Sequence, residues 1–158
     1  MSRAHNNKPS LHCATFGDMD EFAAALRGAD IDVRAMSRPV CGWRLHHITM
    51  DNISLQRWTE PAALVARGAM HPDVIGFVCL LKKTGVQRFN GCTLGASTLA
   101  VYGPGSEHIS SRNVPGSELV TATIPFQEYA RLMVRLTGRE PARRASCALI
   151  ELAPDARN

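Results

Sequence analysis

With 158 residues, the chain is long enough for one domain with a hydrophobic core. Its 45% hydrophobic and 20% charged residues are ordinary for a soluble globular protein. The longest apolar run, Val74 to Leu81, is too short to span a bilayer, so no membrane partner is expected. The formal net charge of +4 leaves nucleic-acid binding open, although a solvated, arginine-rich helix face is the simpler explanation.

The polar start of the chain, residues 1–11, is predicted to be a flexible arm. Asp18 followed three residues later by Glu21 is close to a capping box, which predicts a short helix that begins after Asp18 and stops before Gly28. Apolar and polar residues then alternate from Ile31 to Met36, a pattern that predicts a strand.

A β-hairpin is the clearest local prediction. Its arms are Trp43 to Met50 and Ile53 to Trp58, and Asp51-Asn52 forms the turn between them. Both faces of the pair mix apolar and polar side chains, which a strand in a wholly dry core would not do. The mixture favours a barrel wall with a lined cavity on one side.

Further strands are predicted after the hairpin. Ala62 to Ala66 is a short apolar segment, and a loop is predicted from Arg67 to Asp73. Val74 to Leu81 is the most hydrophobic stretch and is predicted to lie at the centre of the sheet. The remaining predicted strands are Gln87 to Phe89, Thr98 to Val101, His108 to Ser110 and Glu118 to Ile124.

One amphipathic helix is predicted after the last of these strands. Pro125 fits its first position, and Gly138 lies just past its end. An apolar stripe at spacings of three, four and three runs along it: Phe126, Tyr129, Met133 and Leu136. The stripe either forms a seam between two subunits or covers the strands of its own chain. Many short strands and then a helix predict a mainly β fold, a small β-barrel or jelly roll with a helical appendage.

The cysteines carry no metal or disulfide pattern. There are five of them, without a CxxC pair: Cys13, Cys41, Cys79, Cys92 and Cys147. Their odd number and mostly apolar neighbours indicate reduced, buried thiols. The start of the chain also lacks the apolar stretch of a secretory signal, so we expect a cytoplasmic protein.

Several motifs follow one another in an order that is found in a known family. They are Phe-x-Asp-x-x-Glu-Phe at Phe16–Phe22, Gly42-Trp43-Arg44-Leu45, Leu55-Gln56-Arg57-Trp58, Gly76-Phe77, Phe89-Asn90-Gly91, Gly103-Pro104-Gly105-Ser106-Glu107-His108 and Ile124-Pro125. This order resembles the N-terminal sensor domain of AraC-family transcriptional regulators, particularly the branch similar to the ethanolamine-operon activator. The resemblance covers roughly residues 12–140.

The resemblance implies a cupin-like barrel that binds a small effector, a homodimer formed through the closing helix, and no catalytic activity or cofactor. It also implies that DNA is bound by two helix-turn-helix motifs in a separate C-terminal domain. On this interpretation, residues 12–138 are the sensor barrel with its closing helix. Residues 139–158 are a linker toward a DNA-binding domain absent from this chain, although Ala145 to Leu152 is apolar enough to pack back on the barrel.

A cavity inside the predicted barrel would be lined by His47, Trp58 and residues of the most hydrophobic strand, Phe77 and Cys79. An aromatic wall with a few polar groups suits a small effector. The alternative is that these side chains simply pack the interior.

A stand-alone, metal-dependent cupin isomerase or oxygenase is the alternative function. His46 and His47 are neighbours on a strand and point to opposite faces, so they cannot hold one ion together. His108 lies near the position of a cupin's last ligand, but Glu107 beside it points away. We therefore predict no metal site and no catalytic residues. A third possibility is direct nucleic-acid binding by the arginines between Arg131 and Arg144.

Overall fold

Two antiparallel sheets carry the fold of residues 9–153, the part of the chain that the computed structural model describes. The larger sheet has seven strands in the order β1 (Ser10–Phe16), β3 (Trp43–Met50), β4 (Ile53–Thr59), β11 (Glu118–Pro125), β6 (Val74–Lys82), β9 (Thr98–Tyr102) and β12 (Cys147–Glu151). The smaller sheet has five, in the order β2 (Ala29–Ala35), β5 (Leu64–Met70), β10 (Glu107–Arg112), β7 (Gln87–Phe89) and β8 (Cys92–Thr93).

The chain crosses from one sheet to the other several times between β1 and β11, as strands of a jelly roll do. The prediction of a mainly β fold is therefore confirmed. The closed form of the predicted barrel is not observed, because the strands of residues 9–153 pair within two separate sheets. No helix in the same range is long and apolar enough to cross a membrane.

The core lies between the sheets because alternate side chains of each strand point inward. One cluster includes Phe22, Val33, Trp43, Leu45 and Leu64. A second cluster includes Met70, Leu80, Phe89, Tyr102 and Leu119. Trp58 packs against both clusters, so it joins the two halves of the core.

Most predicted strands are confirmed. The hairpin pairs β3 with β4 around a turn in which Asp51 has a φ of 52°. Strand β6 lies inside the larger sheet, next to the middle strand β11. The short strand β8 was not predicted.

The predicted loop from Arg67 to Asp73 is wrong, because β5 continues to Met70. Gly68, within the predicted loop, lies where β2 approaches β5, opposite Ile31. A Cβ atom at Gly68 would clash with the backbone oxygen of Asp30. The glycine therefore permits close strand packing and does not end the strand.

Helix α1 (Met19–Ala25) begins at Asp18, whose side chain accepts hydrogen bonds from the backbone N–H groups of Asp20 and Glu21. This confirms the predicted N-cap, and the helix ends at Ala25, with Leu26 as its C-cap, before Gly28 as predicted. The helix places Phe22 in the core, 5.0 Å between ring centroids from Trp43.

Replacing the cap tests how far α1 depends on it. We expect Asp18→Ala to lower the free energy of unfolding by roughly 0.5–2 kcal/mol, since two backbone donors lose their acceptor. Urea unfolding followed by circular dichroism measures the change. Asp20→Ala is the matched control, because Asp20 is also an exposed aspartate and lies two residues after Asp18. An equal loss of stability in both variants would contradict the capping role of Asp18.

Helix α2 (Phe126–Thr137) lies on the outer face of the larger sheet. Pro125 is its N-cap, so the helix begins one residue later than predicted. Gly138 ends it with a φ of 70° and an N–H that donates to the Val134 carbonyl. The ring of Tyr129 packs 6.1 Å from that of Phe77 on β6, measured between centroids.

The chain after α2 returns to the larger sheet. Strand β12 pairs with β9, which confirms the predicted packing of Ala145 to Leu152 onto the strands. Arg143 donates to the carboxylate of Asp73 at 2.8 Å, and its guanidinium lies over the Phe126 ring. Part of the segment 139–158 is thus a strand of the sheet.

At the N-terminal end, residues 1–8 of the predicted arm lie outside the described residues, and β1 contains residues 10 and 11.

Candidate functional site

A cavity of about 80 Å³ lies between the two sheets. Because a single water needs roughly 10–15 Å³ on this scale, the space admits several waters or a small organic molecule. Its walls combine residues of both core clusters, and Trp58 lies where the clusters meet. The apolar lining includes Leu26, Val33, Leu64, Met70 and Leu119.

The polar lining comes from inward-facing positions of the strands. Gln56 on β4 and Tyr102 on β9 come from the larger sheet, whereas His108 and Arg112 come from β10 of the smaller sheet. Each of these four side chains is at most 7% exposed. The smaller and larger sheets therefore both present polar groups to the same cavity.

A buried ion pair forms one part of the wall. Nε of Arg112 donates to Oε2 of Glu60 at 2.8 Å, and the two side chains are 3% and 4% exposed. Burial raises the pKa of Glu60, and the neighbouring guanidinium opposes that shift. Arg112 also lies over the ring of Phe89, with its guanidinium carbon 5.7 Å from the ring centroid.

Four buried polar atoms in this wall have no hydrogen-bond partner within residues 9–153. They are Gln56 Nε2, Tyr102 Oη, His108 Nδ1 and Arg112 Nη1. Buried polar groups are almost always paired, with protein, water or ligand. Four such atoms around one cavity therefore indicate a place where a polar guest is held.

The imidazole of His108 lies among aromatic rings. Its centroid is 4.9 Å from that of Tyr102 and 6.2 Å from that of Phe89. Burial, together with the charge of Arg112, lowers the pKa of His108, so the ring is neutral at neutral pH. Burial also raises the pKa of Tyr102, which keeps its hydroxyl protonated.

The four side chains predicted to line a pocket do not all meet at this cavity. Trp58 does line it. Phe77 belongs to the wall, but its ring packs outward against Tyr129 of α2. Cys79, two residues further along β6, shares that outward side of the strand.

His47 lies away from the cavity, near the turn of the hairpin. Its Nε2 is 2.9 Å from Oγ of Ser54 and 3.2 Å from Oγ1 of Thr49. Burial is the main cause that lowers the pKa of His47, and the charge of Arg27 adds to it. The imidazole therefore has local partners and does not reach the central space.

Sequence reasoning missed Gln56, Tyr102 and Arg112 as cavity residues and weighed His108 only as a metal ligand. One signal was available. On β10, the polar residues His108, Ser110 and Arg112 recur at a spacing of two, and all three are buried. A row of polar residues on one face of a buried strand is a signature of a lined interior.

The apolar stripe of α2 is divided between its own sheet and solvent. Phe126 is buried and Tyr129 packs on Phe77, whereas Leu136 is 72% exposed. Leu132, one helical turn before Leu136, is 47% exposed and lies on the same side of the helix. The first half of the predicted stripe thus covers the sheet, whereas Leu136 faces solvent together with Leu132, which is not part of the stripe.

Two other kinds of site are not found in residues 9–153. No three His, Cys, Asp or Glu side chains there lie close enough together to hold a metal ion. The nitrogen Nδ1 of His46 lies 3.3 Å from the sulfur of Cys13, on the face of β3 opposite to His47. The helices α1 and α2 are far apart in the chain and form no helix-turn-helix unit in this range.

Comparisons with known proteins identify the fold. No family model matches the chain, and no curated protein matches its sequence. The AraC-like transcriptional activator CuxR has a similar structure, with a TM-score of 0.53 and 8% identity over 82% of this chain and 52% of that one. A deletion mutant of the oxalate decarboxylase OxdC from Bacillus subtilis aligns with a TM-score of only 0.24 and 11% identity, over 77% of this chain and 42% of that one.

The alignment with the decarboxylase is too weak to support an argument. The chain spans about half the length of CuxR. Because the identity is so low, the likeness concerns the fold alone. The described residues therefore share the fold of part of an AraC-like transcriptional activator.

Proposed function

We propose that this chain is the effector-sensing and dimerisation part of an AraC-type transcription regulator of the cytoplasm. The observation that carries the proposal is the cavity between the sheets with its four unpartnered polar atoms, in a fold shared with an AraC-like activator. A binding cavity without a metal cluster in residues 9–153 supports sensing over metal-dependent catalysis. DNA is contacted by a helix-turn-helix segment outside these residues.

Effector binding acts in this proposal by favouring one of two arrangements of the domain. A ligand shifts such an equilibrium only by its differential affinity for the two states. The cavity wall includes Tyr102, which pairs in register with Cys147 of β12. The segment from α2 to β12 is therefore the part of the chain that would report the occupancy of the cavity to the rest of the regulator.

Two of the five arginines between Arg131 and Arg144 have intramolecular partners, which favours this assignment over direct nucleic-acid binding. Arg143 is engaged with Asp73 and Phe126, and Arg131 pairs with Glu128 at 3.2 Å. Intramolecular partners of this kind reduce the charge available to phosphates. Filter binding of the chain to duplex DNA, expected to be weak and without a steep salt dependence, checks this point.

The proposal is tested by joining the chain to a DNA-binding domain that represses a reporter gene only as a dimer. We expect repression without further partners, and we expect at least one small molecule from a metabolite library to change it. Sedimentation of the isolated chain provides an independent measure of dimerisation. A chain that stays monomeric at high concentration and leaves the reporter insensitive to every compound would overturn the proposal.

Dimerisation is expected to depend on the exposed leucine pair of α2. Leu136→Asp should shift the monomer–dimer equilibrium at least about tenfold toward monomer, because a charge would be buried in the seam. Val134→Asp is the matched control, since Val134 is 45% exposed but lies on the other side of the helix. Analytical ultracentrifugation reads out both variants, and an equal effect of the two would contradict the assigned seam.

A further inference from the structure

Resting on the proposed function, we propose that the effector is a small organic carboxylate. Its acid group is held by Arg112 and the neighbouring donors, and its apolar body lies among the aliphatic side chains of the same cavity. The unpartnered donors of the cavity, the chemistry of its arginine and its size all favour this class.

The free hydrogen-bonding groups of the cavity are biased toward donors. Gln56 has already used its acceptor, because Oε1 accepts from the backbone N–H of Arg27 at 3.2 Å, and its amide Nε2 is the unpartnered end. Arg112 binds Glu60 through Nε, which leaves Nη1 unpartnered, and an arginine nitrogen can only donate. A complementary guest must bring acceptor atoms, and a carboxylate brings two oxygens.

The two remaining unpartnered atoms fit the same guest. The Tyr102 hydroxyl is protonated and can donate, and Nδ1 of the neutral His108 ring can donate in one tautomer. The two rings are adjacent, with centroids 4.9 Å apart. Both side chains line the cavity, and both can donate to a guest there.

The chemistry of Arg112 favours a carboxylate over a neutral carbonyl compound. The buried charges of the wall are those of Arg112 and Glu60, which compensate each other, whereas Arg27, the other arginine of the lining, is exposed. His108 and Tyr102 add no charge at neutral pH. The Arg112 guanidinium keeps an unpartnered Nη1, and arginine binds carboxylates through short, strong hydrogen bonds.

The apolar part of the lining sets the size and shape of the guest. A volume of about 80 Å³ is roughly half that of a cavity that holds benzene, about 150 Å³, so it suits only a short aliphatic body. Leu26, Val33 and Leu64 line the end next to α1, and Trp58 supplies an aromatic wall. An acid with one polar end and one apolar end matches this division.

The test uses two short acids, propionate and butyrate, each compared with its neutral amide, propionamide and butyramide. Isothermal titration calorimetry on the 158-residue chain should give one saturable site for at least one acid. The matching amide should bind at least about tenfold more weakly, as expected for the loss of a charge-assisted hydrogen bond. Equal affinity of acid and amide would overturn the carboxylate class, and so would the absence of binding by both acids.

Two variants show whether the cavity is the site. Tyr102→Phe removes a single unpartnered hydroxyl and should weaken the acid several-fold, whereas Tyr129→Phe on α2 should not. Glu60→Leu combined with Arg112→Met removes the ion pair without leaving one charge alone, and should abolish binding in a folded protein. Unchanged affinity in both cavity variants would overturn the inference, because the acids would then bind elsewhere.

The outcomes separate this inference from the proposed function. If the reporter fusion responds to a neutral compound and neither acid binds, the chain is a sensor and only the ligand class is wrong. If an acid binds in the cavity and the reporter does not respond to it, the ligand class holds and the sensing role is wrong.

Discussion

Glu60→Ala is expected to lower the free energy of unfolding by roughly 3–5 kcal/mol, since it leaves the Arg112 guanidinium buried without its partner. The charge cannot reach solvent, because the Arg112 side chain is 3% exposed. Urea unfolding measures the loss as a shift of the midpoint at constant slope. The effect should be among the largest of any single substitution in this chain, because an unpaired buried charge is among the most destabilising changes in a core.

Two further variants make the Glu60 prediction specific. Glu128→Ala removes a carboxylate from the exposed pair with Arg131 and should cost less than about 1 kcal/mol. Replacing both partners, with Glu60→Leu and Arg112→Met, should recover most of the stability that Glu60→Ala loses. If Glu60→Ala cost no more than the surface control, the buried pair would not exist as described.

Trp43→Ala should have a comparable effect, a loss of roughly 3–5 kcal/mol of unfolding free energy. The indole is 1% exposed and stacks on Phe22, with ring centroids 5.0 Å apart. It therefore joins α1 to β3 as well as filling the core. Trp43→Phe keeps part of the stacking and should lose clearly less, as measured by thermal or urea unfolding. A loss below about 1 kcal/mol for the alanine variant would mean that this end of the core collapses around the missing ring.

Local patterns predicted most of the strands because the information lies within a few residues. In β3, Trp43 and Leu45 alternate with exposed residues, and the Asp51-Asn52 turn follows at once. The second half of β5 was not predicted, because the information that places it lies far away in the sequence. Gly68 is required by the approach of β2, a strand more than thirty residues earlier in the chain, which no local window contains.

The same distinction explains which site residues could be predicted. Trp58 was identified because an aromatic residue on a mixed strand is visible locally. Glu60 and Arg112 are separated by 52 residues, and each alone looks like an ordinary surface charge. Their burial arises only when the two sheets pack together. His47 was assigned to the pocket because it faces inward, but its strand carries it past the cavity to partners on β4.

Because β12 returns to the larger sheet, α2 connects two strands of the same sheet, β11 before it and β12 after it. Pro125 joins the helix directly to β11, and β12 bonds to β9 on the other side of β6. A fragment cut at residue 138, the predicted end of the sensor, would leave β9 as a bare edge with unpaired N–H and C=O groups. Such edges recruit strands from other molecules. The shortest recombinant fragment of this domain that stays monodisperse should therefore extend to Glu151, and shorter fragments should aggregate.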